Sequence, residues 1–400
     1  MDRKKIIILL TVLVDVLGVG IVIPILPFYV ENFGVSPFVL TLLIAVFSLF
    51  SFVSAPMLGA LSDKIGRRPV LIISIASTAI GWLVFAWAQS VWMLFLGRII
   101  DGMAAGNLPV AESYLVDISK NEKERTKNLG LIGAVFGVGF IIGPALGAAL
   151  STISNVFPFY VVGILASINT LAAIIFLPET NGHKNKHKKI SLNPLAPIQS
   201  AFKMKKLRSR FTAWFLFGIA IAGMHAVFSL YLRDAFGFNA QLAGAVFTAM
   251  GIFMIFNQTF LLNRFWLKRF KESSLEVWLF LFFALGFVFL SVPLLVALLI
   301  GLIINVMARS VLRVVISSKV AGIAKSEERG EVMGIMSSIL FLANIGGPVV
   351  AGIFYEVKIY LPFITGAIAL VVAFLIMKYC CAGREKDIKI NMADEIPEVI

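Results

Sequence analysis

The sequence predicts an all-α membrane protein of twelve transmembrane helices, built as two six-helix bundles. Three observations predict it: the composition, the spacing of the apolar runs and an internal repeat. Hydrophobic residues make up 59% of the 400 residues and charged residues 14%, against about 45–50% and about 25% in an ordinary soluble protein. With 35 Phe and a mean hydropathy of +0.95, the chain has too little polar surface to cover a globule in water. Its solvent is lipid. This excludes a disordered chain, a secreted disulfide scaffold and a cytosolic enzyme as the main architecture.

A hydrocarbon core about 30 Å thick needs about 20 apolar residues per helix. Runs of that kind fall at 6–30, 38–61, 70–89, 92–117, 128–150, 157–178, 211–233, 240–263, 275–291, 294–320, 331–355 and 360–380. The first is too long for a signal peptide, and Pro24, Pro27 and Phe28 continue it where a small-residue cleavage site would stand.

An even number of spans puts both termini on one side, and the basic residues identify that side. Thirty of the 35 Lys and Arg lie in 1–5, 62–69, 118–127, 179–210, 264–274, 319–330 and 378–400. The opposite face holds Arg233 and Lys358, and Arg98, Arg309 and Arg313 lie inside spans. Lys and Arg collect in cytoplasmic loops, so both termini are expected in the cytoplasm of a bacterial-type inner or plasma membrane. The net charge of +13 is therefore mostly topology, and no nucleic-acid partner is expected. Cys380 and Cys381 are adjacent and form no disulfide framework.

The longest interruption, 179–210, divides the chain into a first bundle (1–178) and a second (211–381), followed by a tail (382–400). This basic linker is expected along the cytoplasmic surface, with 200–210 as an interfacial amphipathic helix. His183 and His187 read as solvated linker residues, and no metal site is expected.

The halves are related. An offset of 204 residues aligns Gly97 with Gly301, Asp101 with Asn305, Glu124-Arg125 with Glu328-Arg329, and Gly143-Pro144 with Gly347-Pro348, giving 15 identities over 97–148 without a gap. Both halves begin on the same side, so the repeat is parallel. Such a duplication marks a secondary transporter whose halves rock about a site near the midplane. No GxxxxGK[ST] run is present, so no ATP-driven pump is encoded in this chain.

Between spans two and three stands Gly59-Ala-Leu-Ser-Asp63-Lys64-Ile-Gly66-Arg67-Arg68-Pro69. Span five carries Gly139-Phe-Ile-Ile-Gly143-Pro144-Ala-Leu-Gly147, span one Asp15-Val-Leu-Gly18-Val-Gly20, and span four Gly97-Arg98-Ile-Ile-Asp101-Gly102. The first resembles the signature loop of the major facilitator superfamily, and the second its antiporter motif, with Ala148 where a second Gly is usual. Together they are similar to the tetracycline and multidrug efflux branch. The resemblance implies the superfamily fold and a proton-coupled antiporter that needs no cofactor beyond the proton gradient.

Each motif has a physical logic. Asp63 can cap a helix N-terminus, where about half a positive elementary charge is exposed. Arg67 can pair with a span-four carboxylate, Asp117 being best placed, so that Gly59, Asp63, Lys64, Gly66, Arg67, Arg68 and Asp117 form a cytoplasmic latch. In the second half Asn263-Arg-Phe-Trp-Leu-Lys268 supplies neither acid nor Gly there, which makes the latch one-sided. The glycines of span five let another helix approach closely, and Pro144 bends the helix.

Ionisable groups at membrane depth cost about 2.5–3.5 kcal/mol on insertion scales, so each needs a reason. Asp15 lies about 14 Å into span one at 1.5 Å per residue. Arg98 and Asp101 are three apart on one helical face and can pair, with Glu112 further along the stripe. Asp15, Arg98 and Asp101 are the expected proton-coupling set, Arg98 holding Asp101 ionised until substrate or a conformational change weakens the pair. The alternative is a permanent structural pair. His225, Asn257, Gln258, Asn305, Arg309, Arg313 and Asn344 are the expected substrate-cavity residues.

The expected function is export of an amphipathic small molecule or drug by alternating access, as a monomer among membrane lipids. The second half offers Arg309 and Arg313 with no acid at comparable depth, which fits an anionic, zwitterionic or metal-chelated substrate. The rival reading is therefore an importer or exchanger of organic anions or lipid headgroups. A membrane receptor or scramblase on the same fold is a third.

Overall fold

The computed structural model describes residues 3–105, 107–180, 195–204, 207–324 and 329–394. His183 and His187 and most of the linker lie outside them. Every regular element is helical among the described residues: α1 (Arg3–Val30), α2 (Pro37–Ile65), α3 (Arg67–Ala86), α4 (Val91–Met103), α5 (Asn107–Asp117), α6 (Glu122–Leu150) and α7 (Phe157–Phe176) precede the linker. After α8 (Ala196–Lys203) come α9 (Arg208–Phe236), α10 (Ala240–Phe256), a π-helix (Asn257–Trp266), α11 (Leu267–Arg269), α12 (Glu272–Leu290), α13 (Leu295–Ile323), α14 (Arg329–Val357) and α15 (Leu361–Asp394).

Among the described residues, eleven helices are long and apolar enough to cross a membrane. The remaining expected span, the fourth, is not one helix: α4 ends at Met103 and α5 restarts at Asn107. Pro109 explains the break, because its ring clashes with the carbonyl four residues back and it has no N–H to donate. It sits in the first turn of α5, where proline is tolerated. The eighth span departs differently, passing from α10 into ten residues of π-helix, a rare form that is frequent at functional sites. The linker helix also differs from expectation, covering Ala196–Lys203 rather than 200–210, with the next span beginning at Arg208.

Local signals place the other helix ends. Ser36 accepts a hydrogen bond from Val39 N–H, with Pro37 opening α2. Asn121 accepts from Glu124 N–H, and Glu122 and Glu124 place negative charge in the first turn of α6.

Two compact units are present. One comprises Met1–Ala196, Ala222–Ile255 and Asn344–Pro362; the other Pro197–Ile221, Phe256–Ala343 and Phe363–Ile400. The first unit thus gathers stretches of three second-half helices around the first half, and glycines show why. A Cβ on Gly143 of α6 would stand 2.9 Å from Gly20 Cα of α1. On another side of α6, a Cβ on Gly244 of α10 would stand 2.9 Å from Pro144 O, and one on Gly251 3.0 Å from Phe140 O. In the same unit, a Cβ on Gly223 of α9 would lie 3.0 Å from Gly347 O of α14, and Gly352 of α14 abuts Thr41 of α2. Spans five and eleven each pack tightly on the first span of their own half and on a span of the other half. The second unit is held by buried aromatic side chains of α9 and α12, including Trp214, Phe217, Phe283 and Phe287.

Candidate functional site

The three residues expected to couple protons come together in the first unit. Arg98 Nη2 stands 3.5 Å from Asp101 Oδ2, and both residues are 5% exposed. The guanidinium lies on an aromatic shelf, 3.9 Å from the Trp82 ring centre, 4.8 Å from Phe85 and 5.5 Å from Phe47. Such stacking partly replaces water around a desolvated guanidinium. Its Nε and Nη2 atoms have no hydrogen-bond acceptor among the described residues. α3 and α4 approach closely enough for this because Gly81 and Gly97 face each other: a Cβ on Gly81 would lie 2.8 Å from Gly97 O and 2.9 Å from Asp101 N.

Asp15 of α1 reaches the same region. Asn107, at the first position of α5, donates its Nδ2 group to Asp15 Oδ1 at 2.8 Å and to Thr78 Oγ1 at 3.2 Å. Thr78 stands one helical turn before Gly81, where α3 meets Asp101, so its hydroxyl lies beside that carboxylate. A polar chain Asp15–Asn107–Thr78–Asp101–Arg98 therefore links α1, α5, α3 and α4 inside apolar surroundings. Sequence reasoning missed Asn107 and Thr78, although Pro109 marks the break that brings Asn107 here. Glu112 is exposed and stands apart.

The signature loop is also ordered by charge. Arg67 pairs with Asp63 (Nη1–Oδ1, 2.6 Å) and with Asp117 (Nε–Oδ2, 3.1 Å), and donates to Ser62 Oγ at 2.6 Å. The Asp117 partnership matches expectation. Asp63 does not cap a helix here, because its carboxylate is taken by the Arg67 guanidinium one turn away. The cap on α3 is Glu179, whose carboxylate accepts Arg67 N–H at 2.9 Å and Arg68 N–H at 3.3 Å. Gly66 is required for this, since its backbone (φ 118°, ψ 156°) is one L-residues rarely adopt and any Cβ would overlap Glu179. Arg68 ties the loop to Ile174 O at 2.7 Å. Lys64 is partly buried, and a Cβ on Gly59 would meet nothing. All these partners belong to spans two, three, four and six, so the contacts fasten the first half to itself.

The residues expected to line the cavity are divided. In the first unit, His225 lies 6.4 Å from the Phe247 ring centre and Asn344 is exposed. In the second, Asn257 is fully buried, donating to Ser310 Oγ at 2.6 Å and Met307 O at 3.2 Å while accepting from Trp266 Nε1 at 3.0 Å. Its amide clamps the π-helix to α13. Asn305 is also fully buried, Gln258 and Arg309 are partly buried, and Arg313 is exposed. Arg309 and Arg313 are close enough for their charges to repel.

Two further charged clusters escaped sequence reasoning. Arg210 of α9 and Glu276 of α12 form a two-pronged ion pair (Nε–Oε1 2.5 Å, Nη2–Oε2 2.9 Å). At the other ends of the helices, Arg233 joins Glu31 at 3.2 Å and Asp234 at 2.7 Å, and Asp234 accepts from Tyr355 Oη at 2.8 Å. This second cluster joins the turn after α1 to α9 and α14.

Comparison with known proteins agrees with this architecture. The Major Facilitator Superfamily profile matches residues 8–275. The class C tetracycline resistance protein of Escherichia coli is 28% identical over 88% of this chain and 90% of its own length. The quinolone resistance protein NorA of Staphylococcus aureus is 26% identical over 90% of this chain and 92% of its own. The solved human organic anion transporter MFSD10 (TETRAN) superposes with a TM-score of 0.68 at 24% identity, over 94% of this chain and 99% of its own. The nucleoside transporter NupG superposes with a TM-score of 0.78 at 16% identity, with the same coverage. With the profile spanning well over half the chain, on duplicated six-helix halves that carry the signature loop, the protein belongs to the major facilitator superfamily of membrane transporters.

Proposed function

We propose that this protein is a proton-coupled antiporter that exports amphipathic small molecules, drug-like compounds among them, by alternating access. The observation that carries the reading is the buried polar set Asp15–Asn107–Thr78 beside Asp101–Arg98, two carboxylates and one cation bridged by hydrogen-bonding and close-packed side chains. Carboxylates at this depth are costly unless they do something a neutral residue cannot. Exchange of a proton is the simplest such role, and relatives named for tetracycline and quinolone resistance support export as the direction. The energy source is the proton gradient, with no further cofactor. The basic loops place both termini in the cytoplasm of a bacterial-type inner membrane, and a single chain among lipids is the working unit.

The test is uphill uptake of tetracycline and of a quinolone into liposomes holding the purified protein, driven by an imposed proton gradient. Wild type is expected to accumulate at least one of them, and Asp15→Asn and Asp101→Asn each to abolish accumulation. Persistence of gradient-driven accumulation in both variants would remove the assignment. Arg309 and Arg313, four apart on α13, favour a second reading, exchange of organic anions. In the same liposomes it requires anion uptake that Arg309→Gln or Arg313→Gln abolishes while neutral compounds still move.

A further inference from the structure

Asn107 is a buried amide set against a carboxylate. It is 4% exposed, both of its N–H groups are engaged, and its own Oδ1 has no hydrogen-bond partner among the described residues. An unsatisfied buried acceptor costs about 1–3 kcal/mol. Asn305 Oδ1 carries the same cost; what sets Asn107 apart is that its Nδ2 group faces the Asp15 carboxylate. Asn257 provides the contrast, with its Oδ1 and its Nδ2 group both satisfied.

The chemistry of the neighbour explains the free oxygen. An ionised carboxylate only accepts hydrogen bonds, whereas a protonated one also has an O–H to donate. A primary amide serves either state, presenting N–H to the first and C=O to the second after half a turn about its terminal bond. As the structure stands, Nδ2 faces Asp15, the arrangement that suits a carboxylate. If Asp15 takes up a proton, the O–H on Asp15 finds its acceptor in Asn107 Oδ1. The same rotation withdraws the N–H that Asn107 gives Thr78. The Thr78 hydroxyl, one turn from the Gly81 contact with Asp101, is then free to reorient toward that carboxylate. No proton leaves Asp15 in this exchange; only the direction of the hydrogen bonds changes.

We propose that Asn107 is a positioning residue that reads the protonation state of Asp15 through the orientation of its side-chain amide and passes it, by way of Thr78, to the Asp101–Arg98 pair. The break in the fourth span is what sets Asn107 at this place, at the first position of α5 rather than in mid-helix. The assignment rests on the proton-coupling reading and deepens it. It treats the two acids as one responsive unit, so that a proton arriving on α1 alters the ion pair on α4.

The charged groups that bear on Asn107 are few. Asp15 comes from α1, and Asp101 and Arg98 from α4; α7 carries no charged residue. The charged residues of α2, α3 and α6 all lie within a turn or two of the signature-loop end of those helices, at Asp63 and Lys64, Arg67 and Arg68, and 122–127. Glu112 lies further along α5 and is exposed.

The experiment is magnetic resonance of the full-length protein in proteoliposomes with 15N-labelled asparagine side chains. The Asn107 signal is assigned by its disappearance in Asn107→Leu or, if that variant does not fold, in Asn107→Gln. Without substrate or gradient, the wild-type signal is expected to move through one transition as pH is changed. Asp15→Glu should keep a transition and Asp15→Leu should lose it. Thr78→Val should leave the response to Asp15 but remove the response of the signal to Asp101→Asn, and Thr78→Ser should restore it. A signal that ignores pH, or that still moves in Asp15→Leu, overturns the proposal. Failure of gradient-driven transport in wild type, with this response intact, would instead count against proton coupling alone.

Discussion

Glu276→Gln isolates the energetics of a charge pair that lies away from the polar chain of the first half. Glu276 and Arg210 have side chains 2% and 12% exposed and are joined by two charge-assisted hydrogen bonds of 2.5 and 2.9 Å. Gln keeps the shape and one acceptor, but it removes the Glu276 charge from beside a guanidinium with a side chain 12% exposed. Breaking one side of such a buried pair costs about 3–5 kcal/mol, whereas an exposed pair is worth about 0–1 kcal/mol. The expected loss therefore lies in the upper range, read as reduced resistance to unfolding in mixed detergent–denaturant micelles. Replacing both partners, Glu276→Leu with Arg210→Met, should recover most of it, since no charge is then left alone. A single-variant loss below about 1 kcal/mol would show that water reaches the pair and would refute the reasoning.

Two further outcomes follow from the close contacts. Gly66→Ala should destabilise the signature loop by about 1–3 kcal/mol from backbone strain, plus up to about 2 kcal/mol for the displaced Glu179 cap; Glu179→Ala, which loses only the cap, should cost less in the same unfolding assay. Gly143→Ala should lower stability by about 1–3 kcal/mol by forcing α6 off α1, while Gly59→Ala, whose Cβ meets nothing, should leave thermal unfolding unchanged or slightly raised.

What the sequence discloses here follows from how each signal is encoded. Span positions, the duplicated halves and the Arg98–Asp101 pair are local: they need a run of apolar residues, a fixed offset or a spacing of three. Arg67 with Asp117 was legible because a full motif limits the partners of a loop arginine. Glu179 was not, because its role depends on the chain returning to α3 more than a hundred residues later. The Asp63 expectation failed for the same reason: nothing local says which of two carboxylates will be closer to the guanidinium. Arg233 looked like a leftover cation on the sparsely charged face, yet it is bound to Glu31, a residue of the other half. The break in the fourth span was in fact written in Pro109. Hydropathy alone ran through it, because a proline among apolar residues barely lowers the average.

The repeat shows how one duplicated scaffold came to carry unequal chemistry. In the first half Gly81 lies against Gly97 O and Asp101 N; in the second, Gly286 lies against Gly301 O and Asn305 N, a Cβ standing 3.3 and 3.1 Å away. The same glycine contact therefore brings the third and fourth spans of each half together, and it places residue 101 or 305 at the same point of the packing. What differs is the position three residues before. Arg98 supplies a guanidinium on an aromatic shelf beside Asp101, whereas the equivalent residue of the second half is Leu302, buried at 8%. Residue 305 is the neutral amide, and position 302 offers it no guanidinium. The second half keeps its cations one and two turns further along the same helix, at Arg309 and Arg313. The glycines are thus the inherited part of the design, and the charges at membrane depth are where the two halves diverged.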